Sequence, residues 1–221
     1  MKKEKWIKVL MYLPLFIAIL SIGFMNDKIP IHYDSHGVVN RWGSKFEIFL
    51  VPIFTILYGY FLLWIRRISS REEKHGNNNF KIANMVIFMG LVVFNIINIF
   101  IIYGGFTKLE DIRFERFNIA YIIFVITGLF FIFLGNKMPK LKKNTLIGLR
   151  TSWAMKNDIT WKKSQKLGGI FFIIMGIVTI ITPLIFDLVD IVLYYAFFIV
   201  ACAFIMTFLS FFIYKKYGNL E

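Results

Sequence analysis

Residues 82–103 read IANMVIFMGLVVFNIINIFIIY, a stretch with no charged side chain. A helix needs about 20 apolar residues to cross the hydrocarbon core of a bilayer. A helix on the surface of a soluble protein would carry a polar face, whereas this stretch interrupts its apolar residues only with three asparagines and one glycine. The stretch therefore predicts a membrane-spanning helix.

Five further apolar runs of similar length flank this stretch, and short charged segments separate them. The chain is 58% hydrophobic and 18% charged, whereas soluble domains average about half apolar and a quarter charged. These features predict an all-α, polytopic integral membrane protein with six transmembrane helices. The expected spans are residues 7–25, 46–65, 82–103, 117–134, 167–186 and 191–214.

The basic residues predict which side of the membrane each loop occupies. With the N-terminus inside, the inner segments hold 20 of the 26 lysines and arginines. Cytoplasmic loops of membrane proteins carry such an excess, so both termini are expected in the cytoplasm of a cell-membrane protein. The same bias accounts for most of the net charge of +13. The lipid bilayer is therefore the expected partner, and no direct nucleic-acid binding is predicted.

Two membrane parts are expected along the chain. Residues 1–116 form an N-terminal part of three helices, with an outer loop at 26–45. Residues 117–221 form a C-terminal part of three helices, with a basic inner loop at 135–166. Small residues in the membrane let helix backbones approach closely. Such packing is expected at Gly128, Gly168, Gly169 and Gly176.

The spans lack acidic, arginine and histidine side chains near their centres, which ion-driven transporters usually need. The third span carries Asn84, Asn95 and Asn98 instead, and at about 100° per residue these share one helix face. Hydrogen bonding between helices is the favoured interpretation. A polar path for a small molecule or ion, and hence a transporter or channel, is the alternative.

The outer loop at 29–45 reads IPIHYDSHGVVNRWGSK. Its proline and glycines favour a turn-rich or short re-entrant segment over a helix. His32 and His36 are four residues apart, a spacing that zinc sites use on a helix. A membrane metalloenzyme built on these histidines is a further alternative. A histidine that braces the folded loop is favoured, and no cofactor, metal or catalytic residue is expected.

The inner loop lies within residues 135–169, which read GNKMPKLKKNTLIGLRTSWAMKNDITWKKSQKLGG. The positive-inside bias and attraction to anionic lipid explain its lysines. Asn157 or Asp158 suits the N-cap of a helix that contains Trp161 and runs into the fifth span. The planar guanidinium of Arg150 can lock a loop. The loop is therefore expected to hold a defined shape or a partner.

The segment from Gly135 to about Gly176 resembles the SdpI-like immunity proteins of Gram-positive bacteria. The family pattern combines a Gly-Asn pair, a basic stretch, N-x-x-x-G-x-R-T-x-W and a later tryptophan. A proline usually precedes the first tryptophan, and Ser152 stands there in this chain. The matching positions are Gly135, Asn136, Asn144, Gly148, Arg150, Thr151, Trp153 and Trp161.

The outer loop resembles a short domain of unknown function that often precedes this family. The residues that carry this likeness are Pro30, His32, Gly37 and Trp42. The two matching segments follow each other along the chain in the same order as in the family, and they are expected on opposite sides of the membrane.

The resemblance implies a six-helix immunity protein, without catalysis, that protects a cell against a secreted toxic peptide. It also implies signalling, in which a small DNA-binding repressor is held at the membrane while toxin is present. The outer loop would meet the toxin or help close the bundle through Pro30, His32, Gly37, Arg41 and Trp42. The inner loop would contact the repressor through Asn136, Asn144, Gly148, Arg150, Trp153 and Trp161.

Overall fold

The structure, a computed structural model, describes residues 2–34, 37–71, 78–111, 119–144, 146–186 and 188–220. Within them, six helices are long and apolar enough to cross a membrane. The predicted all-α polytopic fold is therefore confirmed. The helices are α1 (Lys2–Ser21), α2 (Leu50–Arg71), α3 (Asn78–Thr107), α4 (Ile119–Lys137), α5 (Asp158–Ile185) and α6 (Leu188–Tyr217).

A two-stranded antiparallel hairpin lies between α1 and α2, where the sequence predicts only a turn-rich loop. Strand β1 (Lys28–Tyr33) pairs with β2 (Val39–Ser44). The pairing register shifts on both sides of His32, and such irregularity obscures the alternation by which strands are recognised in a sequence. A short 3-10 helix (Lys45–Phe49) then leads directly into α2.

The helices pack in two sets that meet where α3 contacts α4. In the first set α1, α2 and α3 contact one another, and Met11 and Leu91 are fully buried between them. In the second set α5 contacts both α4 and α6. Ile82 of α3 belongs to the same buried cluster as Met138 and Trp161. The inner loop therefore connects the two sets.

Glycines bring the backbones of α4 and α5 into contact. A Cβ atom added to Gly176 would lie 2.5 Å from the carbonyl oxygen of Gly128, and the reverse distance is also 2.5 Å. Gly135 and Gly169 form the same reciprocal contact about two turns away, at 2.5 and 2.6 Å. Close packing is thus confirmed at all four expected glycines, because Gly168 in turn lies against a methionine side chain.

Contacts between helix ends, together with the bond of Asn79 at the start of α3 to the inner loop, are consistent with both termini on one side of the membrane. Glu4, near the N-terminus, forms an ion pair with Arg66 at the end of α2. The Asn157 side chain, at the start of α5, donates a hydrogen bond to the Tyr217 carbonyl at the end of α6. An even number of spans requires this arrangement. It agrees with the charge distribution, which assigns this side to the cytoplasm.

Replacing Gly176 with alanine is expected to lower the melting temperature of the protein in detergent. The new Cβ would overlap the Gly128 carbonyl oxygen, and overpacking of this kind costs about 1–3 kcal/mol. Gly90→Ala on α3 is the matched control, because its added Cβ would lie 3.8 Å from the nearest atom. Equal melting temperatures for the two variants would contradict a backbone contact between α4 and α5.

Candidate functional site

Of the predicted inner loop, 135–166, the part between α4 and α5 is described at residues 138–144 and 146–157, and it folds against the cytoplasmic ends of α3, α5 and α6. Trp161 of α5 is 3% exposed, and its indole N–H donates a hydrogen bond to the Leu141 carbonyl at 2.8 Å. Its ring belongs to a buried cluster with Met138 and Leu149. A buried indole needs a partner for its N–H, and Leu141 supplies it. Trp161 therefore fixes the loop to the first turns of α5.

Gln165 holds the next part of the loop, and the sequence interpretation missed it. Its amide nitrogen donates to the Leu149 carbonyl at 2.8 Å, and its amide oxygen accepts the Leu149 N–H at 3.0 Å. The fully buried side chain thus pairs with the backbone as a neighbouring strand would. Gly148 has φ of +101°, and a Cβ there would lie 2.4 Å from the Gln165 amide oxygen. Glycine is therefore required at 148 on two grounds.

Two asparagines hold the preceding turn. The Asn144 side-chain oxygen accepts the N–H groups of Leu146 and Ile147, at 2.9 and 2.7 Å. Asn79 of α3 accepts the Lys142 N–H at 2.9 Å and donates to the Lys142 carbonyl at 3.1 Å. Both asparagines are buried. The sequence pattern singles out Asn144, whereas Asn79 stands in no recognisable motif and its role becomes visible only in the fold.

The second half of the loop is tied to α6. The Trp153 indole N–H donates to the Ser210 hydroxyl at 2.7 Å. Asn157 is the N-cap of α5, because its side-chain oxygen accepts the Thr160 N–H at 2.8 Å. Its amide nitrogen also donates to the Tyr217 carbonyl at 3.0 Å. The predicted N-cap is therefore confirmed at Asn157, and the same side chain also satisfies a carbonyl at the end of α6.

Two other positions of the inner-loop pattern lie on the surface. The Arg150 side chain is exposed, and in the described part of the chain no group hydrogen-bonds its guanidinium. The expectation that this guanidinium locks the loop is wrong, because Asn144 and Gln165 hold the backbone instead. Asn136 is also exposed and donates to the Ile132 carbonyl of its own helix at 2.9 Å.

A buried arginine joins α1, α2 and α3 at the inner membrane edge. Arg66 is 8% exposed, and its guanidinium donates to the Asn84 side-chain oxygen at 2.7 Å and to the Glu4 carboxylate at 3.3 Å. It also lies over the Phe80 ring, 4.7 Å from the ring centroid. A buried charge is tolerated in such a place when it is paired. Asn84, one of the three asparagines of the third span, thus accepts a hydrogen bond from this arginine.

Asn95 and Asn98 face α1. Pro14 interrupts the hydrogen-bond ladder of α1, because it has no N–H to offer the Leu10 carbonyl. The Asn95 amide supplies the missing donor at 2.9 Å, and the Asn98 amide donates to the Pro14 carbonyl at 3.5 Å. Both amide donors therefore bond between helices, as the favoured interpretation of this face expects.

The outer hairpin packs on the C-terminal end of α3. The Tyr33 hydroxyl donates to the Leu109 carbonyl at 2.9 Å, and the Val39 N–H donates to the Glu110 carbonyl at 2.8 Å. Burial raises the pKa of Tyr33 to about 12, since a phenolate would lose its hydration. The phenol therefore remains a hydrogen-bond donor throughout the physiological pH range.

Of the two histidines singled out in the sequence, His32 lies on β1 near the turn of the hairpin. His32 Nδ1 lies 2.6 Å from the Asn40 side-chain oxygen on the facing strand, which is the bracing contact expected of it. Gly37 has φ of +79°, and its N–H donates to the Asp34 carbonyl at 3.0 Å. His36 lies outside the described residues. Within the described residues, no group of three His, Cys, Asp or Glu side chains could hold a metal.

The remaining outer-loop positions differ in exposure. Pro30 is buried and is the cross-strand partner of Trp42, which is 39% exposed. The Arg41 guanidinium lies 2.6 Å from the Glu47 carboxylate, with the arginine side chain 60% exposed. The hairpin therefore presents a cation and an indole at its surface while the proline packs inward.

Six spans with an ordered surface at each membrane side define a polytopic membrane protein built around two structured loops. Residues 140–214 match the SdpI/YfhL protein family, and residues 9–56 match a domain of unknown function, DUF1648. The resemblance to the SdpI-like immunity family is confirmed. The chain is 24% identical to Immunity protein SdpI of Bacillus subtilis (strain 168) over 178 residues, which are 80% of each chain. No solved structure matches this chain.

Replacing Gln165 with methionine is expected to loosen the inner loop. The variant keeps the side-chain length and leaves the Leu149 N–H and carbonyl unpaired, and each such buried group costs about 1–3 kcal/mol. The Leu149 amide should then exchange with deuterium faster than in the parent protein. Lys166→Met, at an exposed neighbouring position, is the matched control. Parent-like exchange at Leu149 in the Gln165 variant would show that this pairing does not hold the loop.

Proposed function

We propose that this chain is an immunity protein of the cell membrane that gives resistance to a secreted toxic peptide. Its similarity to Immunity protein SdpI over 80% of both chains carries the proposal. The two matched segments add support because they include the two ordered surfaces. The DUF1648 match contains the hairpin, and the SdpI/YfhL match contains most of the inner loop.

The outer hairpin is the proposed contact surface for the toxin. Trp42 and Arg41 are both exposed on β2, where consecutive side chains point to opposite faces of the hairpin. Tryptophan and arginine are among the residues most enriched in binding hot spots. His32 lies exposed on the facing strand. Pro30 and Gly37 contribute indirectly, because one packs inward and the other forms the turn.

The first experiment is a survival assay in a sensitive bacterium that expresses the chain. The challenge is the toxin against which the Bacillus subtilis relative gives immunity. Trp42→Ala is expected to lower the tolerated toxin concentration by about tenfold, as loss of a hot-spot side chain does. Lys28→Ala, exposed on the same hairpin, is the control. If the parent chain gives no protection at good membrane expression, this immunity role is rejected.

The inner loop is the proposed docking surface for a cytoplasmic repressor. Exposed basic side chains cover it, and such a surface favours a partner with an acidic patch. Among the residues expected at this contact, Arg150 and Asn136 are exposed, whereas Trp161 and Asn144 are buried. The buried residues would act by giving the loop its shape, and Arg150 by direct contact. The basic positions concerned are Lys140, Lys142, Arg150 and Lys156.

Arg150→Ala is expected to release more repressor from the membrane than Lys142→Ala. The arginine fork can bond a carboxylate through two parallel N–H groups, whereas a lysine provides a single point charge. The measurement is the fraction of a tagged repressor that sediments with membranes while toxin is present. Equal release by both variants at matched expression would argue against a specific arginine contact.

A further inference from the structure

A cavity of about 490 Å³ lies at the inner ends of the helices, under the inner loop. Its walls come from the last turns of α2 and α4, the first turns of α3 and the inner loop, and they include Phe172 of α5 and Met206 of α6. All the helix ends that frame it face the side that the charge distribution assigns to the cytoplasm. The cavity therefore lies at the depth of the inner lipid leaflet.

The lining of this cavity is apolar except for two cations. Of the residues that form it, all described, only Lys137 and Arg150 carry charge, and no carboxylate is present. The Lys137 ammonium lies 5.3 Å from the centroid of the Phe133 ring. Neither cation forms an ion pair within the described residues. The site thus combines an unneutralised positive charge with an apolar chamber.

We propose that the cavity binds an anionic phospholipid of the inner leaflet. Its acyl chain would occupy the apolar chamber, and its phosphate would bond Lys137 and Arg150. The volume falls in the range of about 300–1,000 Å³ that small-molecule sites have. A cytoplasmic leaflet is rich in anionic lipid, and arginine recognises phosphate through paired N–H groups. A ligand with one apolar part and one anionic part complements both halves of this lining.

The site also explains why Arg150 is free of internal partners. Gln165 and Asn144 hold the loop backbone around it, so the guanidinium is not needed to hold the loop, and Arg150 is one of the residues that line the cavity. The flanking residues Gly148 and Leu149 line the same cavity. Because Arg150 is also the proposed repressor contact, a bound lipid and the repressor would compete for its guanidinium.

The test uses native mass spectrometry of the purified full-length protein in neutral detergent. It compares the binding of phosphatidylglycerol with that of a phosphatidylcholine that has the same acyl chains, and phosphatidylglycerol should bind more tightly. Lys137→Gln and Arg150→Gln together should weaken phosphatidylglycerol binding by about tenfold, the effect of losing charge-assisted hydrogen bonds. Lys140→Gln with Lys142→Gln is the control pair, because both are exposed and neither lines the cavity. If the control variant weakens phosphatidylglycerol binding as much as the cavity variant does, the preference comes from general surface charge, and the proposed site is wrong.

A second variant tests the chamber without touching the cations. Val86 is half-buried and lines the cavity, so Val86→Phe should exclude the acyl chain and weaken phosphatidylglycerol binding. Undiminished binding in this variant would place the lipid elsewhere. Inorganic phosphate at millimolar concentration should not displace the lipid, and full displacement would indicate a free-anion site instead. Lys137 has no part in the proposed immunity function, so Lys137→Gln should weaken phosphatidylglycerol binding, by less than the double variant does, while protection against toxin persists.

Discussion

Amide side chains pair with backbone groups at three places where regular hydrogen bonding in this protein is interrupted. Asn95 bonds the carbonyl that Pro14 leaves free, Asn79 pairs with both backbone groups of Lys142, and Gln165 does the same for Leu149. A carboxamide carries a donor and an acceptor without a charge, which suits sites where lipid offers neither. The inner loop keeps its shape through the Asn79 and Gln165 pairs, and both surfaces proposed on that loop depend on that shape.

The features that the sequence predicted well are those set by neighbouring residues. Span lengths follow from continuous apolar runs, and the N-cap at Asn157 bonds a residue only three positions away. Asn79 and Gln165 could not be identified in this way, because their partners are 63 and 16 residues distant and nothing local marks them. The hairpin was missed as a strand pair for a related reason, since its register is irregular around His32. Arg150 was given a locking role that those amides perform.

The structural unit around the inner loop is larger than the segment matched to the SdpI/YfhL family. That match covers residues 140–214, and the DUF1648 match covers 9–56. Asn79 and Arg66 lie in neither segment, yet one holds the Lys142 backbone and the other joins the first three helices. The stretch between the matched segments is therefore part of the scaffold that positions the loop. The glycine contact between α4 and α5 likewise begins outside the match, at Gly128 and Gly135.

Helix α3 touches both ordered surfaces. Its C-terminal end receives the outer hairpin, where a Cβ on Gly104 would lie 3.4 Å from the Tyr33 hydroxyl, and its N-terminal turn carries Asn79 against the inner loop. Its 30 residues extend about 45 Å at 1.5 Å per residue. One continuous helix therefore connects the outer hairpin with the Lys142 backbone. A change in the hairpin that shifted the C-terminal end of α3 would act on the same element that holds the inner loop.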